Sequence, residues 1–218
     1  MLITKVLIYV AVLIVSPVAL ASASDERYPV DAIASIDRVS GVFHQERHIA
    51  GLPKPLRSSG EFIYWRNKGV FYKTLDPFVE EVAFTDKGIV GSAKVYSGIG
   101  KKAGRYFGRL VMAIFSGSKK DLHKFFEENW VYVPEGWEGS LYPKDKRIKK
   151  GLLRINIGGN DFVESISFFS TNHEKTVINF SQHQIFTELS SEQCSWVINY
   201  IDGCTKQQSL LGETCLCP

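Results

Sequence analysis

The sequence predicts an α+β domain: one large, curved antiparallel sheet with a few helices laid on it. Three observations predict this. Apolar residues recur with a period of two over most of the chain, the links between those runs are short, and helical periodicity is confined to three places. With 218 residues, 44% of them hydrophobic, the chain can bury a full core as one domain.

The opening MLITKVLIYVAVLIVSPVALASA lies outside that domain. Lys5 forms a minimal charged region, Val6 to Val15 an apolar one, and Pro17 breaks it before two overlapping small-x-small sites, Ala19-Leu20-Ala21 and Ala21-Ser22-Ala23. The apolar run is shorter than the roughly 20 residues of a spanning helix, so residues 1–23 are expected to be a cleaved signal peptide. The mature protein is then exported. Lys5 is the only charged residue of that segment, so its loss takes the formal charge from +3 to +2. So mild a balance does not argue for nucleic acid, and no nucleic-acid motif accompanies it.

In the mature chain, Ile33, Ile36 and Val39 follow Pro29 at helical spacing and predict a short first helix over Pro29 to Val39. From Gly41 the period becomes two, with Phe43, Gln45, Arg47 and Ile49 on one strand face and His44, Glu46 and His48 on the other. Ser58 to Arg66 and Val70 to Leu75 read as a hairpin, its turn at Asn67-Lys68-Gly69. Phe78 to Thr85 and Ile89 to Tyr96 read as a second hairpin turning at Asp86-Lys87-Gly88. Gly98 to Gly104 reads as a loop. Phe107, Leu110, Val111, Ile114 and Phe115 mark a helix stopped by Gly117, and Ser118 caps another that carries Leu122, Phe125 and Phe126. Strands resume at Trp130–Val133, Trp137–Tyr142, Leu152–Ile157, Phe162–Phe169 and Thr176–Phe186. A last helix follows over Ser191 to Asp202, with Ser190 and Gln193 as a capping box.

The first hairpin is apolar on both faces. A two-residue turn puts Phe62, Tyr64, Arg66, Phe71, Lys73 and Leu75 on one face, and Ile63, Trp65, Val70, Tyr72 and Thr74 on the other. One face of a curved sheet lines the interior and the other needs a cover, for which the two central helices are the candidates. Their Phe107, Ile114, Phe125 and Phe126 then complete an aromatic-lined chamber. Arg66, amid these aromatics, needs acceptors for its guanidinium.

All four cysteines, Cys194, Cys204, Cys215 and Cys217, lie in the last 25 residues, and in an exported protein they read as disulfides. A Cys215–Cys217 bridge would close a very small ring, so Cys194 and Cys204 are each expected to pair with one of that duo. Their spacing matches no common zinc pattern, and no cofactor or metal is predicted. His44, Glu46 and His48 read as a wet strand face. No nucleophile elbow, His-Glu-x-x-His pair, phosphate loop or defensible carboxylate pair appears, so the sequence demands no enzyme. The basic run Lys144 to Lys150 reads as a solvated loop able to meet an acidic partner or anionic headgroups.

Several of these residues also occur in a family pattern. Val42-Phe43-His44-Gln45 resembles the Phe-x-Gln element of the LolA family of periplasmic lipoprotein carriers. Gly60 to Pro77 resembles that family's next strand pair, with its glycine, its arginine at Arg66, an aromatic at Tyr72 and a closing proline at Pro77. Leu141-Tyr142-Pro143-Lys144 resembles its Leu-x-Pro-Lys element, and Ile157-Gly158-Gly159 its following strand end. Leu52, Pro55, Leu56, Ser58 and Gly60 match the pattern of a LolA-like branch, and the resemblance covers roughly residues 30–186. The chain departs from the family at Asn67, where it has a proline, at Ile63, where it has a tryptophan, and in its four-cysteine tail.

The resemblance implies an unclosed, strongly curved antiparallel β-barrel with helices as a lid over an apolar cavity. It implies a periplasmic carrier, not an enzyme, that binds acyl chains of lipoproteins or related lipids and shuttles them between inner and outer membranes. Residues expected to contact lipid are Phe43, Phe62, Tyr64, Trp65, Val70, Phe71, Tyr72, Leu110, Ile114 and Phe125, with Arg66 as the lid latch. The partners implied are an acylated cargo, an inner-membrane donor and an outer-membrane acceptor, with the carrier a monomer. The alternative is a periplasmic enzyme or adaptor acting on a lipid or glycolipid of the envelope. The chain then divides into the signal peptide at 1–23, a LolA-like curved-sheet domain at 24–190, and a C-terminal helix with a cysteine-rich tail at 191–218.

Overall fold

Antiparallel pairing builds ten strands into one sheet, as the short links require. A computed structural model describes residues 31–92, 101–201, 204–209 and 212–216. The expected signal peptide, the first part of the Gly98–Gly104 loop and Cys217 lie outside the described residues. The chain opens with α1 (Asp31–Ala34), then β1 (Arg38–His48), β2 (Leu56–Trp65), β3 (Gly69–Asp76), β4 (Glu80–Thr85) and β5 (Gly88–Gly91). Two helices follow, α2 (Lys101–Ser116) and α3 (Lys119–Phe125). Next come β6 (Phe126–Val133), β7 (Gly136–Pro143), β8 (Leu152–Gly159), β9 (Val163–Ser170) and β10 (Lys175–Ile185). The chain closes with α4 (Ser191–Val197) and a separate hairpin, β11 (Thr205–Ser209) with β12 (Gly212–Leu216).

The order across the large sheet is β5-β4-β3-β2-β1-β10-β9-β8-β7-β6. β5 and β6 do not pair, so the sheet stays an unclosed barrel. The segment that links these two edges is α2 and α3. Register breaks at Ser40/Val42, Ser59/Gly60 and Gly158/Gly159 mark bulges, which bend the strands that carry them.

Several expected boundaries move. The first helix stops at Ala34, because Val39 belongs to β1 and faces Tyr64 across the ladder. Residues 101–104, read as loop, form the first turn of α2. β6 begins at Phe126, directly after α3. Both caps are where sequence places them: Ser118 Oγ accepts from Asp121 N at 3.3 Å, and Ser190 with Gln193 forms a capping box. Gly117, at φ 59°, takes the left-handed conformation that ends α2.

The hairpin register is the larger correction. Trp65 pairs with Gly69, leaving the three-residue loop Arg66-Asn67-Lys68, and Asn67 takes φ 61°, a conformation that asparagine tolerates. One residue more in the loop flips every side chain of β3. Phe62, Tyr64, Val70 and Tyr72 therefore share the inner face, and Ile63, Trp65 and Phe71 the outer.

The two faces have different covers. The inner face joins the main core with α2, α3 and residues from β8, β9 and β10 such as Ile155, Ile166 and Phe180. The outer face is buried by the C-terminal segment: Ile63, Trp65, Phe71 and Ala83 pack with Leu189, Cys194, Trp196, Val197 and Ile201. The central helices thus cover one face only. Cys194 is bonded to Cys215, which ties α4 to β12, and Cys204 is also disulfide-bonded.

At one end of the inner core, His183 stacks on Phe162 with centroids 4.7 Å apart, and its Nε2 lies 3.1 Å from the Val163 carbonyl. Burial holds its pKa below the usual value, against the opposing pull of that carbonyl. The unfolded chain therefore takes up the proton first, and stability is expected to fall as the pH drops below about 6.5. Urea midpoints measured between about pH 7.5 and about pH 5 check this, and His183→Phe should flatten the fall.

Candidate functional site

The concave face of the sheet and α2 enclose an open-mouthed apolar cavity of about 490 Å³. Each strand contributes by its two-residue period. β1 supplies Phe43, with Gln45 and Arg47 nearer the mouth; β3 supplies Tyr72 and Thr74; β4 supplies Val82 and Phe84. β9 and β10 supply Ile166, Phe168 and Ile178, and α2 roofs them with Phe107, Val111, Ile114 and Phe115. Edge-to-face contact between Phe43 and Tyr72, centroids 5.2 Å apart, sets the wall.

The mouth is mixed. Leu56 and Phe78 line it yet stay 53% and 80% exposed, an apolar rim with no cover among the described residues. Around them Arg47 pairs with Glu174 at 3.1 Å and Arg57 with Glu46 at 2.9 Å, so these charges are already matched. Besides Arg47, Arg57 and Glu80, the lining carries the Tyr72 hydroxyl, whose pKa burial pushes far up, so it stays neutral.

Arg66 lies outside the cavity lining, at the ends of α1 and α2. Its Nε donates to Asp37 Oδ1 at 2.8 Å, and one terminal nitrogen, Nη2, donates to the carbonyls of Ala34 at 2.7 Å and Ile36 at 2.6 Å. Longer bonds of 3.4 Å reach the Ile33 and Ser116 carbonyls. One guanidinium thus gathers the C-terminal carbonyls of α1 and α2 at the hairpin tip, where a cation complements the helix dipoles. Beside it, burial raises the Tyr64 pKa to about 12, the Arg66 charge opposing that rise.

The sequence-predicted residues divide by place. Phe43, Tyr72 and Ile114 line the cavity. Phe62, Tyr64, Val70, Leu110 and Phe125 lie in the same inner core, behind or beside its wall. Phe62 and Tyr64 pack on Phe115 there, and Phe62 also meets Phe180 at 4.9 Å. Trp65 and Phe71 are on the outer face under α4. Sequence reasoning did not single out Phe84, Phe168 or Ile178, although Ile166–Phe168 and Ile178–Phe180 show the alternation that marks a wall. Among the described residues no group of three or more His, Cys, Asp and Glu is placed to hold a metal. Glu46 of the trio instead bridges Arg57 and His48. No helix of the described residues is long and apolar enough to cross a membrane.

No protein-family model matches the chain, and no curated protein matches it by sequence. Among solved structures it is similar to a chain of the MucA/MucB complex of Pseudomonas aeruginosa. There the identity is 11% over 85% of this chain and 70% of that one, with a TM-score of 0.46. Against MucB bound to MucA(peri), the chain spans 56% of the other chain's length, at 12% identity, 76% coverage of its own and a TM-score of 0.43. It is also similar to a LolA superfamily protein of Nitrosomonas europaea, at 6% identity over 75% of this chain and 94% of that one, TM-score 0.39. A putative outer membrane lipoprotein-sorting protein domain of Vibrio parahaemolyticus gives 10% identity over 78% and 94%, TM-score 0.39. Ten antiparallel strands curve into an unclosed barrel with helices seated in its concavity, and these structures are what the chain is similar to.

Proposed function

We propose that the protein is a periplasmic carrier that shields an acyl chain of a lipoprotein or related lipid during transit between inner and outer membranes. The observation that carries this reading is the cavity: about 490 Å³, apolar on its walls and open at a mouth rimmed by exposed Phe78 and Leu56. Burying an acyl chain gains about 0.8 kcal/mol per methylene, so a long chain needs an enclosed trough and not a surface patch. Exposed apolar residues at the mouth give the chain a continuous apolar path in and out. Phe43, Tyr72 and Ile114 act as wall, the neighbouring aromatics as its backing, and Arg66 as the latch that keeps α1 and α2 in place. The role is binding and release, with no catalytic group required, and the donor and acceptor are membrane-associated partners.

The test is direct. The purified protein is expected to take up a fluorescent fatty acyl probe in one-to-one stoichiometry, read by fluorescence and native mass spectrometry. Phe168→Glu, at a half-buried wall position, sets a carboxylate against the chain and should weaken uptake more than tenfold while circular dichroism stays unchanged. Absence of uptake by the unaltered protein would sink the carrier reading.

A further inference from the structure

The roof helix has a second face that cavity and core leave unused. Phe107, Val111, Ile114 and Phe115 point into the cavity, and nearly half a turn away Lys102, Arg105 and Arg109 lie along the opposite side of α2. With Lys124 of α3 and Lys144 after β7 they line an open groove of about 560 Å³, floored by Tyr106 and Phe125, whose rings meet edge to face at 5.1 Å. Lys102, Arg105, Arg109 and Lys124 are exposed and make no ion pair among the described residues. Asp145, the carboxylate of the groove, is taken by Arg147 at 2.6 Å.

This placement works against the helix itself. Arg105 and Arg109 are four residues apart, a spacing at which like charges repel, and Lys102 stands in the first turn, where the helix dipole disfavours a cation. Helical stability therefore does not account for the stripe. An anionic ligand does. We propose that this groove docks the protein on anionic lipid headgroups of a bilayer, the roof helix lying between membrane and cavity. This rests on the carrier reading, since an acyl carrier must meet a bilayer surface. Amphipathic Tyr106 and the stems of Lys and Arg suit an interface, and the fork of Arg105 and Arg109 suits phosphate. The partner is a surface and not a single anion, because the cations are spread along α2 and on to Lys124 and Lys144.

Co-flotation with vesicles of phosphatidylcholine alone, or mixed with phosphatidylglycerol, tests this. The protein should float with the anionic vesicles, stay behind with neutral ones, and be released by salt. Each cation strengthens such partition about fivefold, so Arg105→Gln with Arg109→Gln should weaken it about thirtyfold. Lys54→Gln with Lys175→Gln removes the same charge elsewhere and should leave it nearly unchanged. Equal loss in both pairs would overturn the proposal in favour of net charge. Capture of poly-glutamate through Arg105 and Arg109, with no vesicle binding, would overturn it in favour of an acidic protein. Acyl-probe uptake measured on the same samples separates the two readings: uptake without flotation sinks the groove alone, and flotation without uptake sinks the carrier and leaves the groove.

Discussion

Arg66→Ala is expected to lower stability by about 3 kcal/mol and to loosen α1 and the end of α2 before the rest of the molecule. The guanidinium makes three short bonds, to Asp37, Ala34 and Ile36, and two longer ones, to Ile33 and Ser116. Hydrogen bonds to a charged group are worth about 1.5–3 kcal/mol each, but they share one side chain and do not add. The Asp37 carboxylate is 78% exposed, so that ion pair contributes little and the carbonyls dominate. Removing the side chain leaves helix-terminal carbonyls without their donor. Lysine cannot span the set with one ammonium, so Arg66→Lys should recover less than half of the loss. Urea unfolding gives the magnitude, and hydrogen exchange gives the location, with faster exchange confined to α1 and the last turn of α2. A loss under about 1 kcal/mol with unchanged exchange would reduce Arg66 to a surface residue. The carrier reading adds that the acyl probe should leave the alanine variant faster, because the roof is less firmly held.

Much of this architecture is legible in the sequence because the physics behind it is local. A period of two fixes the strands of β1 and β10, and the spacing of Phe107, Leu110, Val111 and Ile114 fixes α2. Ser118 and the Ser190–Gln193 box fix helix starts, since capping needs only neighbouring residues. What local rules miss is instructive. The hairpin faces depend on whether its loop has two residues or three, and Asn67 can serve either turn. The seating of α2 is hidden as well: at Gly108, a Cβ would come within 2.2 Å of the Thr85 carbonyl. That close approach seats the roof on the β4–β5 turn, and nothing in the linear sequence announces it.

The site is legible in kind and less so in detail. A two-faced apolar hairpin signals that two layers meet on it, but not which layer is solvent, cavity or helix. Phe43 and Tyr72 reach the cavity because β1 and β3 present them inward. Trp65 and Phe71, equally aromatic, are spent on seating α4. Distinguishing the two needs the long-range contact between residues 63–71 and 189–201. The covering segment is distant in sequence, and its apolar positions are few.

That covering segment should matter as much as Arg66. Trp196→Ala is expected to destabilise the protein by about 4 kcal/mol, within the range for removing a large buried aromatic. Trp196 is 2% exposed and packs in the outer cluster with Ile63, Trp65 and Phe71, beside Leu189, Val197 and Ile201. Loss of the Cys194–Cys215 bond, which closes 21 residues of chain, should cost about 3 kcal/mol by the loop-entropy account, and reductant, which opens the Cys204 bond as well, should cost at least that. Both changes release the same helix, so together they should cost less than their sum. Guanidinium unfolding with and without reductant gives the three values. Trp65 reports the mechanism: in Trp196→Ala its emission should shift to the red as α4 lifts, while the Arg38 guanidinium stacked 4.5 Å over its ring stays on the outer surface. The inner cavity is walled by the opposite faces of the same strands and roofed by α2, so acyl-probe uptake should survive reduction at temperatures where the protein remains folded. If uptake is lost as soon as the disulfide is reduced, the outer cover is coupled to the cavity through β2 and β3. The tail is then part of the binding device, not only the support of the sheet that forms it.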